Sequence, residues 1–187
     1  MTGSKRLALA ALGGTGVVFY ALFVRGSLTV DIGIGRRVRA LGPLVWYVAA
    51  PRELVFEVLS APYLQRTPRA LESKLRVLER GKDMVLAEHF TPVGPAVTTT
   101  LETVRFEPPE RVHFRLVRGP VPFVVEQFDL RETSEGTALE YSGQLGTDLW
   151  AIGGWWGRLV APRWEAAVQT SLAAVKAEAE RRAASER

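Results

Sequence analysis

The sequence predicts an α+β domain: a curved antiparallel sheet wrapped around a long C-terminal helix, preceded by a single transmembrane helix. Three patterns carry that reading. Residues 7–24 form an uncharged apolar run. Six runs with strand-like alternation follow between residues 72 and 145, separated by turn residues. Beyond Asp148 the apolar spacing changes to three and four residues, the period of an amphipathic helix.

The first element is the run LALAALGGTGVVFYALFV, bracketed by Lys5 and Arg6 on one side and Arg25 on the other. Eighteen helical residues span about 27 Å, close to the hydrocarbon thickness of a bilayer. No small-x-small cleavage site follows at Phe23-Val24-Arg25-Gly26, so the run reads as a retained anchor over residues 1–27. Residues 28–43 read as a basic juxtamembrane linker. Arg25, Arg36, Arg37 and Arg39 are candidates for contact with anionic headgroups, and the positive-inside bias favours a cytoplasmic C-terminal domain. Residues 1–43 hold six basic groups and one acid, whereas 44–187 hold 18 and 19. The overall charge of +4 is thus local to the N-terminal region, which speaks for a membrane surface and against nucleic acid.

The domain is expected over 44–187. Leu44–Ala49 reads as a strand, and Pro51 with Glu53 opens a helix whose apolar face holds Leu54, Val55, Val58 and Leu59. Pro62 is expected to break it. The strand candidates are Glu72–Glu79, Met84–Phe90, Val97–Phe106, Val112–Arg118, Phe123–Arg131 and Ala138–Leu145, and the short turns between them imply antiparallel hairpins. Trp156, Val160, Trp164, Val168, Leu172, Val175 and Ala179 then stripe one face of the closing helix, with Pro162 as a candidate kink.

The strand ending Val48-Ala49-Ala50-Pro51, the helix start Arg52-Glu53-Leu54-Val55-Phe56-Glu57-Val58-Leu59, and the hairpins closed by a helix containing Trp164-Glu165 resemble the START / polyketide-cyclase (SRPBCC) superfamily. The resemblance covers about residues 44–180. It implies a helix-grip fold with a deep cavity between the sheet and the last helix. Members bind lipids, sterols, quinones or polyketides, and some are cyclases or aromatases. No universal catalytic residue comes with the superfamily.

Alternation places Glu88, Arg118, Glu126 and Tyr141 on apolar strand faces, where a few fixed polar groups orient a ligand with one oxygenated end. Trp156, Val160, Trp164 and Val168 complete the candidate ligand-binding set from the helix. Two readings stay open for the carboxylates: ligand contacts, or an internal ion pair of Glu88 or Glu126 with Arg118. Trp156, with Trp150 and Trp155, reads either as the cavity mouth or as packing beneath a turn. His89 and His113 fall on the mixed faces and read as solvent-side. With no cysteine and two histidines, no metal site and no cofactor is expected, and no catalytic residue is assigned. The expected function is binding of a hydrophobic small molecule or lipid, an isoprenoid quinone or a polyketide, by a single-pass cell-membrane protein. The alternatives are a cyclase or dehydratase using a pocket carboxylate as general acid or base, and a module that docks a membrane-protein partner.

Overall fold

The computed structural model describes residues 18–65 and 73–185. Described from residue 18, the short helix α1 (18–24) leads into β1 (Arg37–Val48), α2 (Arg52–Leu64), β2 (Leu75–Arg80), β3 (Met84–Val93), β4 (Ala96–Glu107), β5 (Arg111–Arg118), β6 (Phe123–Thr133), β7 (Gly136–Thr147) and α3 (Trp150–Ser185). All seven strands form one antiparallel sheet in the order β1-β7-β6-β5-β4-β3-β2. Tight turns make each successive pair from β2 to β7 neighbours, and β1 closes onto β7 after the α2 excursion. The helix-grip architecture is therefore present, with α3 laid against β1, β7 and α2.

The first strand begins seven residues earlier than its expected start at Leu44. Gly42-Pro43 looks like a break in the sequence, but it forms a bulge: the pairing of β1 with β7 shifts register between Leu41 and Leu44 and then resumes. Gly42 sits at φ +72°, and a Cβ there would fall 2.7 Å from the Tyr141 carbonyl oxygen. Its amide donates to Glu165 Oε1 at 2.9 Å, which fastens the bulge to α3.

Helix α2 also runs past its expected break, through Pro62 to Leu64. The proline lies in the last turn, where the lost ladder bond weakens little of the helix. Beyond it Tyr63 packs against Phe106 and Phe114, with ring centroids about 6 Å away. Helix α3 likewise continues through Pro162 over 36 residues, and buries Ala161, Val168, Leu172, Ala179 and Ala183.

The membrane expectation is corrected. Among the described residues no helix is long and apolar enough to cross a membrane, which overturns the single-pass cell-membrane localisation. Residues 1–17, which carry most of the expected span, lie outside the described residues. Its described end, α1, lies on the domain: Thr98 Oγ1 donates to the Val24 carbonyl at 2.6 Å, and the Thr99 amide to the Arg25 carbonyl at 3.0 Å. The supposed linker is pinned as well. Arg36 Nε donates to Asp148 Oδ1 at 2.7 Å, and the amides of Ile32 and Gly33 donate to Asp148 Oδ2 at 2.8 Å each. These bonds, Arg36 foremost, hold the Asp148 carboxyl well below the usual carboxylate range. Arg36 thus serves the fold, while Arg25, Arg37 and Arg39 are exposed.

Candidate functional site

The concave face of the sheet is set by the strand alternations. It collects Val85, Ala87 and His89 from β3; Thr98, Thr100, Glu102, Val104 and Phe106 from β4; Val112, Phe114 and Leu116 from β5; and Val124, Glu126, Phe128 and Leu130 from β6. Between this face and α3 lies a cavity of about 280 Å³. Aromatic and aliphatic groups form most of its wall, among them Tyr63, Phe114, Phe128, Trp156, Trp164 and Val168.

Two carboxylates enter this apolar space. Glu126 is held by neutral donors: Tyr141 Oη at 2.9 Å and Trp164 Nε1 at 2.7 Å both donate to Oε2. Its Oε1 has no hydrogen-bond partner among the described residues. Glu102 accepts from Thr100 Oγ1 at 2.5 Å, through Oε1. Burial, with no cation alongside, pushes both carboxyls well above the ordinary carboxylate range, and for Glu126 the charge of Glu102 adds to the effect.

His89 stands at the same end as Glu102. Its Nε2 shares a 2.9 Å hydrogen bond with Tyr63 Oη. Nδ1 lies 3.3 Å from Glu102 Oε2 but at an angle that makes no hydrogen bond, so it is a buried ring nitrogen without a partner. Desolvation lowers the imidazole to about 4, so the ring is neutral near pH 7. Burial raises the Tyr63 and Tyr141 hydroxyls, which therefore stay protonated.

Of the sequence-derived candidates, Glu126, Trp156, Val160, Trp164 and Val168 line the cavity. Tyr141 is fully buried behind Glu126 and touches the space through that carboxylate. Glu88 and Arg118 lie on the opposite face of the sheet, in a cluster with Arg76. Arg76 pairs with Glu88 Oε2, and Arg118 Nη2 stands 3.4 Å from Glu88 Oε1. The expected alternation failed for two local reasons. In β3 both faces carry apolar residues, so Met84, Leu86 and Phe90 offered a false inward set, and His89 rather than Glu88 faces in. In β5 the pairing with β4 slips between Leu101 and Glu102, so Arg118 opposes Leu101 and turns outward. His113 lies on the outer face, 3.2 Å from Glu107. Trp156 Nε1 donates to the Pro120 carbonyl at 2.7 Å, whereas Trp150 and Trp155 are exposed.

The sequence reading missed Glu102, His89 and Tyr63. A signal for Glu102 was present: Val104 and Phe106 mark the buried face of β4, and stepping back by two gives Glu102, Thr100 and Thr98.

The family described as polyketide cyclase / dehydrase and lipid transport matches residues 45–180. Among curated proteins no sequence matches. Several solved structures share the fold. The Zhui aromatase/cyclase of Streptomyces sp. R1128 aligns at 21% identity and TM-score 0.56, covering 79% of this chain and 95% of that one. Norcoclaurine synthase from Thalictrum flavum, solved with dopamine and hydroxybenzaldehyde, aligns at 13% identity and TM-score 0.59, covering 80% and 91%. The di-domain aromatase/cyclase StfQ of the steffimycin biosynthetic pathway aligns at 18% identity and TM-score 0.58, covering 80% of this chain and 52% of that one. At these identities the likeness is one of fold.

Proposed function

Since the chain belongs to the polyketide cyclase / dehydrase and lipid transport family, we propose that its cavity binds an apolar small molecule, such as a lipid, an isoprenoid quinone or a polyketide, with an oxygenated end directed at Glu126. The observation that carries this is the half-satisfied carboxyl in a largely apolar chamber. Tyr141 and Trp164 fix Oε2 and the orientation of the side chain, which leaves Oε1 for a guest. A protonated Glu126 donates to a ligand carbonyl, and an ionised one accepts from a ligand hydroxyl. The walls supply the bulk of the affinity, at about 25 cal/mol per Å² of apolar surface removed from water. Polar contacts select the orientation.

The test is to purify the full chain, extract it for mass spectrometry, and screen a lipid, quinone and polyketide panel by thermal shift. The expected result is a co-purifying apolar molecule, or a stabilising class whose effect shrinks in Glu126→Gln. An empty extract together with a flat panel would overturn the reading.

A second reading is favoured by one specific observation: Glu102 and Glu126 line one cavity, and among the described residues neither pairs with a lysine or arginine. Two buried carboxyls in one cavity, the charge of Glu102 raising the proton affinity of Glu126, favour a state with one proton held and one lost, which is an acid–base pair. In this reading the chain is a cyclase or dehydratase, with the ionised carboxylate removing a proton from a carbon next to a ligand carbonyl. The protonated partner, or the Tyr63 hydroxyl, hydrogen-bonds a ligand oxygen. Turnover of a poly-β-ketone that falls in both Glu126→Gln and Glu102→Gln, with folding intact, is the expected outcome. Equal turnover in wild type and both variants would rule it out.

A further inference from the structure

The matched family domain begins at residue 45, yet the cavity wall includes residues that precede it. Tyr20 and Val24 of α1 line the cavity beside Trp156 and Pro120. The segment is seated by a set of specific contacts. The Val24 and Arg25 carbonyls accept from Thr98 and Thr99 of β4, as above, and Thr98 is itself a cavity residue. A few residues on, Thr29 Oγ1 donates to the Gly119 carbonyl at 2.6 Å and accepts from the Gly119 amide at 3.0 Å.

Between these tethers the chain turns at Gly26, with φ +68°. A Cβ at that position would fall 2.0 Å from the Thr99 carbonyl oxygen, so the turn demands glycine to approach β4 this closely. On the other side, the rings of Tyr20 and Phe23 each meet Trp156 edge-on at 6.3 Å between centroids. Trp156 is held in turn by the Pro120 carbonyl.

The cavity is long in one direction. Its α3 wall runs from Trp156 to Val175, a stretch of about 28 Å at 1.5 Å per residue. Leu59 and Tyr63 of α2 line it as well, and Glu126 contacts the helix at Trp164, part-way along. A ligand anchored at Glu126 and extending toward Trp156 therefore meets Tyr20 of α1.

We propose that residues 18–29, before β1, are part of the ligand site, with Tyr20, 61% exposed and packed on Trp156, as an end wall at the cavity's edge that sets how long a ligand the cavity accepts. This rests on the reading that the cavity holds an apolar guest. The residues that determine ligand length then lie outside the family domain, and the ligand class is narrowed to molecules whose apolar portion ends against an aromatic pair.

The probe is the series of straight-chain 1-alkanols from butanol to octadecanol, titrated into the full chain and followed by calorimetry. Wild type is expected to gain about fourfold in affinity per methylene until the chain meets the wall, and then to stop gaining. Tyr20→Ala is expected to move that limit to longer alcohols, and Tyr20→Trp to shorter ones. Opposite shifts from one position separate a wall from a general loss of structure. Hydrogen exchange at amides 18–25 is expected to slow in wild type on binding of the longest accepted alcohol. Binding with the same length limit in all three proteins would overturn the end wall while leaving the cavity reading intact. Failure of every alcohol to bind any of the three would overturn both.

Discussion

Glu88 and Glu126 are buried to the same degree, each 8% exposed, and both sit on central strands of one sheet. Their surroundings differ in kind. Glu88, on the outer face, lies under Arg76 and Arg118, whose side chains are 64% and 46% exposed. Glu126, on the inner face, meets only neutral donors among the described residues, Tyr141 and Trp164, and shares the cavity with a second carboxylate on the same face of the sheet. The difference teaches that burial alone does not make a site. A long cationic side chain keeps its head in water while covering an outer carboxylate. Inside the grip no guanidinium among the described residues pairs with Glu126, so its charge is left for a proton or a guest to settle.

Experiments on the two clusters should separate accordingly. The largest effect is expected from Tyr141→Ala, which empties a fully buried ring site beneath Glu126. A loss of about 3–5 kcal/mol in urea unfolding is the expected cost. Tyr141→Phe keeps the ring and removes the donor, at about 1–3 kcal/mol, and should push the Glu126 carboxyl higher still in a carbon-13 titration.

The third test uses pH. Burial raises Glu126 from 4.5 to about 8 in the folded chain, so across that window the native state holds a proton that the unfolded chain has released. Stability from this group is therefore present at low pH and is lost as pH rises through the window. His89 acts in the opposite sense: its folded value of about 4 lies below 6.5, so its contribution is lost as pH falls from 6.5 toward 4. Thermal midpoints of wild type should decline between pH 6.5 and 8, and Glu126→Gln should flatten that decline. A decline of equal slope in the variant would assign it elsewhere. The smallest effect is expected from Arg118→Ala. It loosens an outer pair that stays in contact with water and with Arg76, and should cost less than about 1 kcal/mol in the same unfolding assay.

The fold was legible because its signals are long and redundant. Turn residues cut six alternating runs, and the Trp156–Ala179 stripe defined the last helix. The site was legible only where one face of a strand is plainly apolar. In β6, Val124, Phe128 and Leu130 fix the side on which Glu126 points, and in β7, Leu139 and Leu145 do the same for Tyr141. In β3 both faces are apolar, and pattern alone does not choose between Glu88 and His89. At Arg118 a one-residue slip in pairing, invisible in composition, reversed the side. The N-terminal run misled for a different reason. Apolar side chains that face a bilayer and those that face an aromatic cavity wall read alike, and for its described end, residues 18–24, the Thr98, Thr99 and Gly119 tethers place the chain on the domain.

The carboxylate of Asp148 works as a rivet. It joins the chain just before β1 to the root of α3, where Leu149 and Trp150 also donate their amides to the Ile34 and Gly35 carbonyls. The far end of the helix is fastened as well: the Ala49 amide donates to Glu180 Oε1 at 2.9 Å and Lys176 Nζ to the Tyr47 carbonyl, so α3 is pinned at both ends of the stretch that walls the cavity.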